Sequence, residues 1–233
     1  FNAGLHRLTG KKPIIIPGNH DVRLLGNIGA FYQHISAEWQ KVVVDDDIGV
    51  KFACFNSSES EAFAKGRVSP AQLHDVGGVL QNEIAVKPEV EGYLTVALVH
   101  HHPFPYEAPP HPTFAQRMLA LFGGSPETFL RMEDADLFLD WCARWRVSAV
   151  LHGHKHIARQ LTKQIEPEGA PFFDVTAIGC GSSLGAGGKP MSFVVLNWDE
   201  RSRRWTTSFF ESRNGGPFLR QAITSAVVPE RRV

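Results

Sequence analysis

The 233-residue chain is 43% hydrophobic and carries 24 basic against 24 acidic side chains, a balance spread along its length that argues against a nucleic-acid polymer or an anionic membrane as partner. No run approaches the roughly 18 apolar residues needed to span a bilayer, and 233 residues suffice for one large core, so residues 1–233 are read as a single domain. The three cysteines, Cys54, Cys142 and Cys180, are odd in number and form no C-x-x-C pair. That favours a reducing compartment, the cytoplasm, over a disulfide framework, although a chain opening at Phe1 leaves any amino-terminal signal unassessable.

In chain order, 13–16 (PIII) is a short apolar run closed by Pro17 and Gly18, the pattern of a buried strand ending in a turn, and Asn19, His20 and Asp21 follow at once. Ile28, Phe31, Tyr32, Ile35 and Trp39 recur at helical spacing, predicting a helix over 27–40. Residues 42–44 and 50–55 read as two strands joined by the acidic turn Asp45, Asp46, Asp47, three carboxylates expected to be solvated. Ser69, Pro70 and Gln72 form a helix start, with Ser69 as N-cap, Pro70 at the first helical position and Gln72 reaching back to close a capping box. Leu73, Val76, Val79 and Leu80 supply that helix with its apolar stripe.

Residues 94–99 form a strand that runs straight into His100, His101, His102 and Pro103. Five prolines between 103 and 112 make a stiff loop, followed by a short helix over 113–122 that Gly123 and Gly124 stop. A longer helix carries Phe138, Trp141, Cys142 and Trp145 on one face and leads to the strand 147–151. That strand delivers His152, Gly153, His154, Lys155 and His156, with Gly153 expected to supply the bend that lets alternating histidines converge. Strands follow at 172–178, 193–198 and 205–210, and a short helix is expected near 219–223. The glycine-rich stretch 179–188 lacks the G-x-x-x-x-G-K-[ST] pattern and leads into a strand, so it reads as a connection or flexible wall rather than a phosphate cradle.

Seven of the eleven histidines fall at three predicted strand ends. The pentapeptide 152–156 alone is a metal-site candidate, with a solvated patch as the alternative. Three such loops together suggest one crevice, because ligands of open α/β sheets bind outside the carboxyl ends of the strands. Imidazole nitrogens with an amide oxygen suit Zn, Mn, Fe or Co rather than Ca, and two such ions can clamp the attacking and leaving oxygens of an in-line phosphoryl displacement.

Gly18-Asn19-His20-Asp21, then His101-His102-Pro103, then Gly153-His154-Lys155-His156, in this order and at these strand ends, resemble the GNHD, H-x-P and GHxH blocks of the calcineurin-like metallophosphoesterase superfamily. The run HHHP and the modest size are similar to bacterial cyclic-nucleotide phosphodiesterases of that superfamily. The resemblance implies an α/β two-sheet sandwich flanked by helices and a metal-dependent phosphoesterase, a phosphodiesterase in the first instance, with a cyclic nucleotide as leading substrate. It implies two divalent ions, with Asn19, His101 and His154 on one and His156 on the other. A metal-activated hydroxide would attack phosphorus, His20 would be the proton donor and Asp21 would orient it. Arg23 and His102 are weaker substrate-binding candidates, His100 stands beside His102 as a lesser candidate, and His152 is structural.

The superfamily's D-x-H and G-D blocks, on strands that precede GNHD, are absent from this sequence. The expectation is therefore a domain lacking its amino-terminal strands, a piece of a longer enzyme; the alternative is a non-catalytic scaffold that binds a protein partner. Residues 103–124 are expected to form a lid or a homodimer surface.

Overall fold

A computed structural model describes residues 7, 10–18, 41–58, 66–104, 132–166, 171–181, 190–221 and 226–227. Its apolar runs become central strands, as fits segments buried on both faces of a parallel sheet. The larger sheet is built from β1 (Lys41–Asp45), β2 (Val50–Cys54), β3 (Leu94–Leu98), β4 (Val147–His152), β5 (Arg159–Ile165), β6 (Phe173–Gly179) and, near the chain end, β10 (Ala226–Val227). Their spatial order is β1-β2-β3-β4-β6-β5-β10. Strands β2, β3, β4 and β6 run parallel, whereas β1 and β5 lie antiparallel to their neighbours β2 and β6. A separate antiparallel sheet holds β7 (Met191–Asp199), β8 (Arg204–Ser212) and β9 (Leu219–Gln221).

Two helices, α1 (Pro70–Val86) and α2 (Ala135–Arg144), cover one face of the larger sheet. Phe55, Leu73, Val76, Leu80, Phe138 and Cys142 fill that layer, and the Phe55 ring meets Phe138 and Trp141 edge-on at centroid distances of 5.3 and 5.0 Å. The opposite face packs Val50, Val96, Ala149 and Ile178 against Phe209, Val194, Leu196 and Trp205 of the smaller sheet. The protein is thus an α/β assembly of helices, a mixed sheet and a second sheet, layered in that order. Among the described residues no helix is long and apolar enough to cross a membrane.

At the start of α1 the Ser69 side chain accepts the Gln72 backbone N–H at 3.3 Å and Pro70 opens the first turn. The other half of the capping box does not form. The Gln72 side chain is fully buried and turns to the loop after β2, where its Oε1 accepts the Asn56 N–H at 2.6 Å and its Nε2 donates to the Asn56 carbonyl at 3.0 Å. A buried backbone donor and acceptor left unmet cost more than a cap lost at a partly exposed helix end.

Three further expectations change. Residues 13–16 run without strand pairing between Pro13 and Pro17, neither of which can donate to a ladder. Residues 219–221 form β9 on the edge of the smaller sheet instead of a helix, because pairing with Phe209, Phe210 and Glu211 outweighs local preference. The polar segment of β5 is a strand that the sequence pattern did not suggest. The predicted helices at 27–40 and 113–122, the proposed lid or dimer segment beyond Phe104, and 182–188 of the glycine-rich stretch lie outside the described residues.

Candidate metal centre

Because β3 and β4 are adjacent and parallel, their carboxyl ends open on the same edge of the sheet. The ladder continues past both strands: the Val99 N–H donates to the Leu151 carbonyl, and the Gly153 N–H donates to the His100 carbonyl, each at 3.1 Å. The two histidine runs are thereby held side by side. His100, His101 and His154 each bring a ring nitrogen to within 4.8 Å of the others. Ring centroids are 4.4 Å apart for His101 and His154, 5.0 Å for His100 and His101, and 5.2 Å for His100 and His154. His102 and His152 stand behind this trio with centroids 6.2 Å apart, and His102 stacks on His154 at 6.1 Å.

The backbone at the second run is strained. His154 has φ 65°, and the Lys155 N–H donates to the Gly153 carbonyl at 2.8 Å, closing a γ-turn of the rare positive-φ form around His154. His156 is also left-handed, at φ 53°. The expectation that Gly153 makes the bend is therefore corrected: Gly153 keeps its ladder bond to His100, and the positive φ falls on two histidines, a residue type that enters this region more readily than most. Such a conformation costs about 1–3 kcal/mol per residue and clusters at functional sites.

His101 and His102 are fully buried and His152 nearly so. Burial first, and then the neighbouring His100 and His102, hold the His154 pKa down to about 3. Burial and His102 hold His152 at about 3 as well. Both imidazoles are neutral at pH 7, the form that donates a lone pair to a metal. The His154 Nε2 is buried and has no hydrogen-bond partner among the described residues, a costly condition that a cation would relieve. The donor set thus fits a divalent ion of the Zn, Mn, Fe or Co type.

Ser57, in the loop after β2, places its Oγ 2.8 Å from His101 Nδ1. Gly66 lies flat against the same ring: a Cβ there would fall 2.3 Å from His101 Cγ.

Of the residues singled out from sequence, His101 and His154 come together, joined by His100, which had ranked below them. His102 is packed behind them. His152 is buried, and its carbonyl accepts the Cys180 N–H at 2.9 Å, linking β4 to the end of β6. His156 is not part of the three-ring group, and no carboxylate of the described residues joins it. Asn19, His20, Asp21 and Arg23 lie outside the described residues. Sequence reasoning passes over Ser57 and Gly66, for which no local signal exists, and places the Gln72 side chain at the helix cap rather than on Asn56.

Comparison with protein-family models and with curated proteins finds no match.

Proposed function

We propose that this chain carries much of the site of a metal-dependent phosphoester hydrolase, a phosphodiesterase in the first instance, on a metallophosphoesterase-like two-sheet sandwich. The observation that supports the reading is the convergence of His100, His101 and His154 at the carboxyl ends of adjacent parallel strands. In this reading His101 and His154, with Asn19, hold one divalent ion, and His100 is either a further ligand or a contact beside it. His156 is the candidate ligand of a second ion. When bound, the ions supply Lewis-acid polarisation of a phosphoryl oxygen and lower the pKa of water.

The chain's own residues do the rest. Neutral His154 presents a lone pair without first losing a proton, His20 protonates the departing alkoxide, and Asp21 orients His20. Arg23 and His102 are candidate contacts to a phosphodiester, a cyclic nucleotide being the leading example, and 103–124 is the candidate lid or homodimer segment.

A second reading, a scaffold that keeps the fold and binds a protein partner, draws on the lack of a carboxylate in the described cluster. The two separate on bis(p-nitrophenyl) phosphate with added Mn²⁺, using the full-length protein. The enzyme reading expects Mn-dependent turnover that His154→Ala removes. Turnover absent from the wild type, or equal in His154→Ala, leaves the scaffold.

A further inference from the structure

His101 is gripped from outside the cluster by the loop after β2. Ser57 and His101 are both fully buried and are separated by 44 positions in the chain. The Ser57 Oγ accepts the His101 backbone N–H at 3.1 Å and meets the same residue's Nδ1 at 2.8 Å. Main chain and ring of one histidine are gripped by one oxygen.

Ser57 is itself immobilised. Its carbonyl accepts the Arg67 N–H at 2.9 Å, and the preceding Asn56 is tied at both backbone groups to Gln72 of α1. The Asn56 Oδ1 accepts the Ser58 N–H at 3.0 Å, closing the loop on itself. Gly66 seals the face of the ring, where no Cβ fits. A metal-ligating imidazole characteristically donates its other N–H to an oxygen, which fixes both tautomer and ring orientation.

We infer that Ser57 is the positioning residue of the centre: its Oγ accepts the Nδ1–H of His101 and so makes Nε2 the ligating nitrogen. This role rests on the metal reading above. A ring proton at Nδ1 puts the lone pair at Nε2; a proton at Nε2 would block ligation there. The hydroxyl can take both N–H groups of His101 because a serine oxygen has two acceptor lone pairs.

The test uses the full chain and Zn²⁺. Affinity is measured by competition with a chromophoric chelator, and the ring nitrogens of His101 are read by long-range ¹⁵N–¹H spectra of the Zn-loaded protein. Ser57→Ala is expected to weaken Zn²⁺ binding by roughly 10- to 100-fold, while Ser57→Thr, which keeps the hydroxyl, stays within about threefold of wild type. The wild-type spectrum is expected to show His101 protonated at Nδ1 and bound through Nε2. Wild-type affinity in Ser57→Ala, or ligation through Nδ1, overturns the role of Ser57 and leaves the metal reading standing. A wild type that binds no Zn²⁺ overturns both. The spectrum needs no variant, so a Ser57→Ala chain that fails to fold still leaves the inference decided.

Discussion

Two polar clusters dominate this chain, the acidic turn between β1 and β2 and the histidines at the ends of β3 and β4, and they are opposite in nearly every physical respect. In the turn, Lys11 pairs with Asp45 at 2.7 Å and Asp47 at 3.1 Å, while Asp46 takes Lys87 at 2.6 Å and the Tyr93 hydroxyl at 3.0 Å. Asp46 and Asp47 stand in solvent, and every acid has a basic partner. Of the histidines, His101, His102 and His152 are buried and His100, His154 and His156 half-buried; they are like in charge when protonated, and carried partly on left-handed backbone. Water and counter-charges make the first arrangement cheap. The second persists only because surrounding structure enforces it, which is why it, and not the three carboxylates, reads as a site.

Acid is the strongest way to test that difference. In the unfolded chain an imidazole takes a proton below about pH 6.5, whereas folded His152 and His154 resist until about pH 3. The unfolded state therefore binds more protons in that window, so stability is fully present above pH 6.5 and falls as the pH drops toward 3. Each histidine contributes about 1.4 kcal/mol per pH unit, so the pair should cost roughly 4 kcal/mol between pH 6.5 and 5. Urea unfolding in the presence of a chelator measures this directly. A flat profile over that range would mean that these rings are wetter than their burial implies.

Gln72 tests the support of the cluster, with a smaller effect. Gln72→Met keeps the volume but strands the Asn56 N–H and carbonyl inside the protein, for an expected loss of about 2 kcal/mol in urea unfolding. The loop that carries Ser57 should loosen with it, visible as faster amide exchange at Arg67, whose N–H donates to the Ser57 carbonyl. Unchanged stability would show that water reaches Asn56.

Why some of this could be read from sequence and some could not follows from the range of the interactions. The central strands declare themselves because burial on both faces needs uninterrupted apolar residues, and His101 and His154 are legible because they end such runs. β5 is illegible: its Arg159, Gln160, Lys163 and Gln164 look like a loop, and only pairing along β6 makes the segment a strand. Ser57, Gly66 and His101 meet only when β2 and β3 lie side by side, so no local pattern marks the serine or the glycine. Local pattern points Gln72 to the helix cap three residues away, whereas its side chain bonds Asn56, 16 positions off.

The smallest expected effect lies at the acidic turn and completes the contrast. Asp46 is held below the ordinary carboxylate range by its hydrogen bonds from Lys87 and then Tyr93, yet the carboxylate is fully exposed. Exposed pairs gain little because water competes for both charges and long side chains lose freedom on pairing. Asp46→Asn should therefore move Tm by no more than about 2 °C, judged from the usual worth of a surface pair and the Tm response of a domain this size. Even that shift should vanish in 1 M NaCl, where the screening length is about 3 Å. A larger or salt-insensitive shift would place this turn with the histidines, as a cluster the fold depends on, and would remove the distinction drawn between them.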